Sequence, residues 1–280
     1  MNGIDEKQLT SYVSWLIAEE KSAATVDKYA RDVRAFSRWL SKATVTKDIA
    51  AAYKRYLLEG LGREATGINA VVAALNSFFT FMGLDIKLKP LKIQRKTFKA
   101  KEKELTKTDY ERLLKAARAK GNARLNLVLQ TICSTGIRVS ELKFITMEAV
   151  CSGVAEITGK GKTRTVFIPK KLKPLLRSFA KSRRISSGCI FTTKSGKPLN
   201  RSNIWAAMKK LSAAAVVDAE KVFPHNLRAL FARLFYGLDK DIVRLADLLG
   251  HSDVNTTRIY LMESGEAHRR RVEALDLVVT

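Results

Sequence analysis

Apolar residues recur along the first eighty positions with a helical period. Leu9, Tyr12, Val13, Leu16 and Ile17 form one such stripe within Asp5 to Glu20. Val26, Tyr29, Val33, Phe36, Trp39 and Leu40 form a second within Ser22 to Leu40. A spacing of three and four residues puts these side chains on one helix face, which then has to be buried. Lys47 to Leu58 and Ala65 to Met82 continue the pattern, and Gly60, Gly62 and Gly83 punctuate the ends. Four helices sharing one core are therefore expected over residues 1–86.

The pattern breaks after that. Pro90 and a basic run (Lys87, Lys89, Lys92, Arg95, Lys96, Lys99, Lys101, Lys103) read as an extended linker over 87–104. A second domain is expected over 105–280. Helical patterns cover the stretch after Thr106 through Ala119, then Arg124 to Thr135, Leu172 to Ser182, Ser202 to Ala215, Pro224 to Tyr236, Asp241 to Leu249, Asn255 to Leu261 and Glu266 to Leu275. Two short β-branched runs, Val154 to Ile157 and Thr165 to Ile168, flank Gly159-Lys-Gly-Lys162 and predict a hairpin. The fold class is thus mainly α, with a helical first domain and a helical second domain holding a small antiparallel sheet.

Charge narrows the function. Lys and Arg number 51 against 27 acids, a net charge of +24, which suits a polyanionic partner such as nucleic acid. The N-terminus lacks the basic-then-apolar layout of a secretory signal, and no apolar run spans a bilayer, so the cytoplasm is the expected location, with no membrane partner. Three widely spaced cysteines (Cys133, Cys151, Cys189) fit reduced thiols. Only three histidines, none paired closely with a cysteine, argue against a zinc site.

Strand cleavage without a metal needs fixed cations to offset charge on the phosphate oxygens, a nucleophile, and a donor for the leaving oxygen. Arginine suits the first task because its planar fork binds two oxygens and stays protonated. The second domain offers such groups. Arg138 follows a glycine break in Thr135-Gly-Ile-Arg-Val-Ser-Glu-Leu142. His225 and Arg228 lie three apart in Pro224-His-Asn-Leu-Arg228, on one face of a first helical turn, where an anion is favoured. His251 and Tyr260 lie in Leu248-Leu-Gly-His-Ser-Asp-Val-Asn-Thr-Thr-Arg-Ile-Tyr260. Taken singly, each has an ordinary structural explanation: a surface arginine, a helix end, a half-buried tyrosine. Their order and spacing together are what point to a site.

With Thr158-Gly-Lys-Gly-Lys-Thr-Arg164, these blocks resemble the tyrosine recombinase (phage integrase) family, and the length and layout are closest to its compact Xer type. The resemblance covers nearly the whole chain. It implies that the first four helices form a SAM-like core-binding domain, and that the chain is a site-specific recombinase working through a 3′-phosphotyrosyl intermediate. It implies that Arg138 and Arg228 clamp the scissile phosphate, that Tyr260 attacks it, and that Lys160 protonates the leaving 5′ oxygen, with Lys162 in the same turn as fallback. His225 would assist proton transfer, and His251 would hydrogen-bond the phosphate. Neither cofactor nor metal is implied. The partners implied are double-stranded DNA and, through the segment after Gly265, neighbouring subunits of a tetramer. Many family members carry a histidine where this chain has Ala229. Glu141 follows the first arginine as the family pattern has it and would support the site from behind. A type IB topoisomerase-like relaxing enzyme shares the chemistry and remains the alternative, and a DNA-binding protein with an inactive site is a third reading.

Overall fold

The computed structural model describes residues 3–41, 43–94, 104–159, 162–193, 195–262, 269–270 and 272–277. The chain divides into two compact units, Met1–Arg95 and Lys96–Thr280.

The first unit is built on four helices, α1 (Glu6–Ala18), α2 (Ala23–Leu40), α3 (Lys47–Arg55) and α4 (Ala65–Phe81). Asp5 caps α1 reciprocally with Gln8, which satisfies two backbone donors that a helix start otherwise leaves unpaired. Helix α4 buries Ile68, Val71, Val72, Leu75, Phe78 and Phe79, a continuous three-four stripe. Tyr12 of α1 stands edge-on to Phe78, with centroids 5.1 Å apart, and donates its hydroxyl to the Ala74 carbonyl. Ile17, assigned to the core stripe from its spacing, is instead 62% exposed, because the buried face of α1 narrows to Leu9, Tyr12 and Leu16. Helix α3 does not stop at a clean end but widens into a π-turn over Tyr56–Gly60, which turns Leu57 into the core.

The start of the basic run belongs to this unit. Asn76 donates to the Leu88 carbonyl and accepts from the Leu88 amide, both at 2.9 Å. Asn69, two turns earlier on α4, does the same with Leu91 at 2.9 and 2.7 Å. Each asparagine amide thus substitutes for a neighbouring strand, and Leu88 is buried. Residues 95–103 of the expected linker lie outside the described residues.

The second unit surrounds α6 (Ala123–Thr135), which is buried on almost every face and packs against α5 (Lys107–Ala119), α8 (Leu172–Ser182), α9 (Arg201–Ala215) and α10 (Pro224–Asp239). Helix α5 begins at a capping box between Thr106 and Asp109. Between α6 and α8 come a short 3₁₀ turn (Val139–Phe144), α7 (Met147–Ser152) and an antiparallel hairpin of β1 (Val154–Gly159) and β2 (Lys162–Phe167), in register with Gly159 opposite Lys162. The chain then runs through α10, α11 (Ile242–Leu249) and α12 (Val254–Leu261). A small cluster of Ala229, Ala232, Leu245, Leu249 and Tyr260 joins these three helices. Ala229, the departure from the family pattern, is buried in that cluster. The expected last helix over Glu266 to Leu275 falls partly on residues 263–268 and 271, which lie outside the described residues. No described helix is long and apolar enough to cross a membrane.

Candidate active site

Helix ends place the candidate residues. Helix α6 closes on Gly136 in the left-handed conformation (φ 67°), and a Cβ there would collide with the Phe231 ring. The chain leaves that cap directly into Arg138. Pro224 opens α10, where its missing N–H costs nothing, and so puts His225 on the first turn and Arg228 at the start of the second, three residues on and on the same face. Asp241 caps α11, and Gly250 (φ 65°) ends it, so that His251 turns back toward α10. Asp253 caps α12 and sets Tyr260 near its end.

These elements bring five of the six sequence candidates together. Arg228 is 2% exposed. Its Nη1 donates to the Gly136 carbonyl at 2.5 Å, and its Nη2 donates to the Leu249 carbonyl at 2.7 Å. The same Nη2 lies 2.8 Å from His251 Nε2. His251 Nδ1 in turn lies 2.8 Å from Thr257 Oγ1. The Tyr260 ring sits 5.1 Å from His225 and 5.8 Å from His251, centroid to centroid, and its hydroxyl lies against the Arg228 guanidinium. Tyr260 is 4% exposed, whereas His225 and Arg138 face solvent.

Arg138 approaches from the other side, with Nη2 3.5 Å from the Gly250 carbonyl. Its orientation is set by Glu141, whose carboxylate accepts from the Arg138 amide at 2.7 Å and from its Nη1 at 3.0 Å. The same carboxylate accepts two bonds from Arg164 of β2, at 3.2 and 2.9 Å. Arg164 also donates through Nε to the Leu248 carbonyl, and its stem packs so close under Gly250 that a Cβ there would lie 2.5 Å from Arg164 Cδ. One arginine thereby ties the hairpin, the Arg138 turn and the end of α11 together. The sequence reading assigned Arg164 no role.

The sixth candidate, Lys160, lies outside the described residues. Lys162 is described: its Nζ is 3.2 Å from Ser252 Oγ, next to His251. Arg138, Lys162, Arg164, His251 and Ser252 line an open cavity of about 690 Å³.

The electrostatics follow from crowding of like charge. Burial, and then the Arg138 charge, pull the Arg228 guanidinium below its usual pKa, and Tyr260 and Glu141 partly offset this. His251 is pushed down to about 4, first by burial and then by Arg228, Arg138, Arg164 and His225, so its ring is neutral near pH 7. Burial works against ionising Glu141, but the bonds from Arg164 and Arg138 outweigh it and hold the carboxyl below its usual range. The site is a set of fixed cations beside a tyrosine hydroxyl, a composition that stabilises charge on a phosphoryl group.

Comparison with known proteins gives a consistent picture. The model of the phage integrase family matches residues 103–266, and that of the phage integrase N-terminal SAM-like domain matches 9–83. Tyrosine recombinase XerA of Thermococcus kodakarensis is 31% identical over 280 residues, covering 96% of this chain and 95% of its own. Among solved structures, XerH site-specific recombinase bound to its difH substrate aligns with a TM-score of 0.70 at 20% identity, over 98% of this chain and 90% of that one. Residues 75–356 of lambda integrase, seen as a dimer on a core site, align with a TM-score of 0.72 at 20% identity, over 95% and 97%. Lambda integrase has also been solved as a tetramer on a Holliday junction. The two structural likenesses speak for the fold.

Proposed function

The chain belongs to the phage integrase family of tyrosine recombinases, and from that premise we propose that Tyr260 is the nucleophile with which this Xer-like enzyme cleaves and rejoins DNA. The observation that carries the proposal is convergence. Arg138, Arg228, His251 and Tyr260 come from four separate segments and meet around one cationic site.

In this reading the scissile phosphate is bound by Arg138 and Arg228, whose donors match its two non-bridging oxygens. The Tyr260 oxygen attacks phosphorus, and its proton passes to the adjacent imidazole of His225. The bond to the 5′ oxygen breaks, and Lys160 supplies the proton that the departing alkoxide needs. The products are a 3′-phosphotyrosyl link and a free 5′-hydroxyl. Because the link keeps the phosphodiester's energy, rejoining runs these steps backward and consumes no nucleotide. His251 Nε2 hydrogen-bonds a phosphate oxygen in the transition state. The Tyr260 hydroxyl lies against Arg228, so in this reading phosphate entry moves the Tyr260 side chain off the guanidinium while α12 stays docked and keeps the hydroxyl within reach of phosphorus.

Double-stranded DNA is the substrate, and four copies act together at synapsis. Lambda integrase on a Holliday junction is a tetramer. The C-terminal segment is the joining element in this reading. Val272, Leu275 and Leu277 are 55%, 61% and 80% exposed, an apolar cluster open to solvent among the described residues.

The test is a suicide substrate that traps the covalent intermediate. Tyr260→Phe is expected to bind the same DNA and form no adduct. An adduct of wild-type yield in that variant removes Tyr260 from the mechanism.

A further inference from the structure

His251 is held at both ring nitrogens. Arg228 Nη2 lies 2.8 Å from Nε2, and Thr257 Oγ1 lies 2.8 Å from Nδ1. A guanidinium can only donate, so Nε2 must accept. The single proton of the neutral ring therefore sits on Nδ1 and is donated to the Thr257 hydroxyl. A doubly protonated ring would set two N–H groups facing each other at Nε2. The cations around it (Arg228, Arg138, Arg164 and His225) oppose that form as well.

A bound phosphate reverses the requirement. Its oxygens carry lone pairs only, so His251 must present Nε2–H to it. The neutral ring then exposes a bare lone pair at Nδ1, which needs a donor. Thr257 is fully buried, so water is not at hand to supply one. A hydroxyl can accept in the first state and donate in the second, whereas an alkyl group can do neither. Thr257 also sits on α12, three residues before Tyr260, so the group that serves the histidine moves with the nucleophile.

We propose that Thr257 is a positioning residue that governs the tautomer of His251, accepting from Nδ1–H in the DNA-free protein and donating to Nδ1 when Nε2–H turns to the scissile phosphate. The second half rests on the functional reading above; the first half stands on the DNA-free geometry alone. Docking of α12 and readiness of His251 are then one event. A tyrosine helix out of place leaves the histidine without its Nδ1 partner.

The chain has only three histidines, so long-range proton–nitrogen NMR of ¹⁵N-histidine-labelled full-length protein resolves His251 directly. Wild type is expected to show Nδ1 protonated and Nε2 bare near neutral pH. Thr257→Ser is expected to keep that signature, and Thr257→Val is expected to lose part or all of it. On a suicide substrate, Thr257→Val should cleave ~10–100-fold more slowly, the range expected when a buried polar group loses its partner. Thr257→Ser should stay within about threefold of wild type, because it keeps the hydroxyl. DNA affinity should be unchanged in both. Wild-type His251 protonated on Nε2 overturns the proposal, as does wild-type cleavage by Thr257→Val. Equal loss in the serine and valine variants also overturns it, because it reduces Thr257 to packing. These outcomes are separate from the fate of the Tyr260→Phe adduct, which tests the functional reading alone.

Discussion

Replacing Glu141 with glutamine preserves shape and removes one charge from the middle of the site. In the wild type the carboxylate takes two bonds from Arg164 and two from Arg138. The Arg164–Glu141 pair is buried, with side chains 14% and 11% exposed. Removing one partner of such a pair costs about 3–5 kcal/mol, because the other charge stays behind without compensation. Glutamine turns amide donors toward the guanidinium groups but keeps one acceptor oxygen for them, and because of that retained acceptor the lower end applies to Arg164. The Arg138 side chain is 43% exposed, and solvent screening limits its share to below about 1 kcal/mol. The sum is a loss of roughly 3–4 kcal/mol, a large part of a typical domain's stability. With a urea slope of about 2 kcal/mol/M, the midpoint of the second unit should fall by about 1.5–2 M.

The same carboxylate fixes a pH dependence. Its folded-state pKa is held below the unfolded value of about 4.3. Its contribution is therefore complete above that value and is lost as pH falls through the lower, folded one. Glu141→Gln should lack this part of the acid loss. Urea melts of wild type, Glu141→Gln, Arg164→Met and the double variant form a cycle, and the two sites should couple by about 2 kcal/mol or more. A single-variant loss below about 1 kcal/mol, or a coupling energy near zero, would refute the claim that this pair braces the site.

The remaining predictions concern the phosphate and the DNA. Arg138→Ala and Arg228→Ala should each bind DNA and cut cleavage by at least ~100-fold, as expected for losing a transition-state charge donor; gel-shift and suicide-substrate assays in parallel check this, and near-normal cleavage in both rejects the clamp. The net charge of +24 predicts a steep fall of affinity with salt, read as the slope of log affinity against log salt concentration. A slope near zero would contradict binding through phosphates.

Much of this site could be read from local patterns, because its positions are set by helix ends. Proline at the start of α10, aspartates before α11 and α12, and glycine after α6 and α11 are all local signals that fix where Arg138, His225, Arg228, His251 and Tyr260 leave the backbone. What stayed hidden depends on partners far along the chain. Arg164 looks like any strand arginine until its guanidinium meets Glu141, 23 positions earlier, and the Leu248 carbonyl, 84 positions later. Thr257 is an ordinary helix threonine until α12 folds back on His251. Asn69 and Asn76 carry no periodic signal for holding an extended strand, so the basic run appeared to begin a free linker at residue 87. Helix α7 has six residues, too short for periodicity to register. The spacing of α1 assigned Ile17 to the core because it reports only that a face is apolar, not how wide the buried stripe is.

The most direct test is to find the DNA on the protein. After trapping on a suicide substrate and exhaustive nuclease treatment, tryptic peptides can be searched for a nucleotide remnant. Trypsin should release Ile259 to Arg269, a peptide that holds Tyr260 and none of the chain's six other tyrosines. The account predicts a 3′-nucleotide phosphate on Tyr260 in that peptide. The same mass on any other peptide, or a 5′-linked remnant, would contradict it.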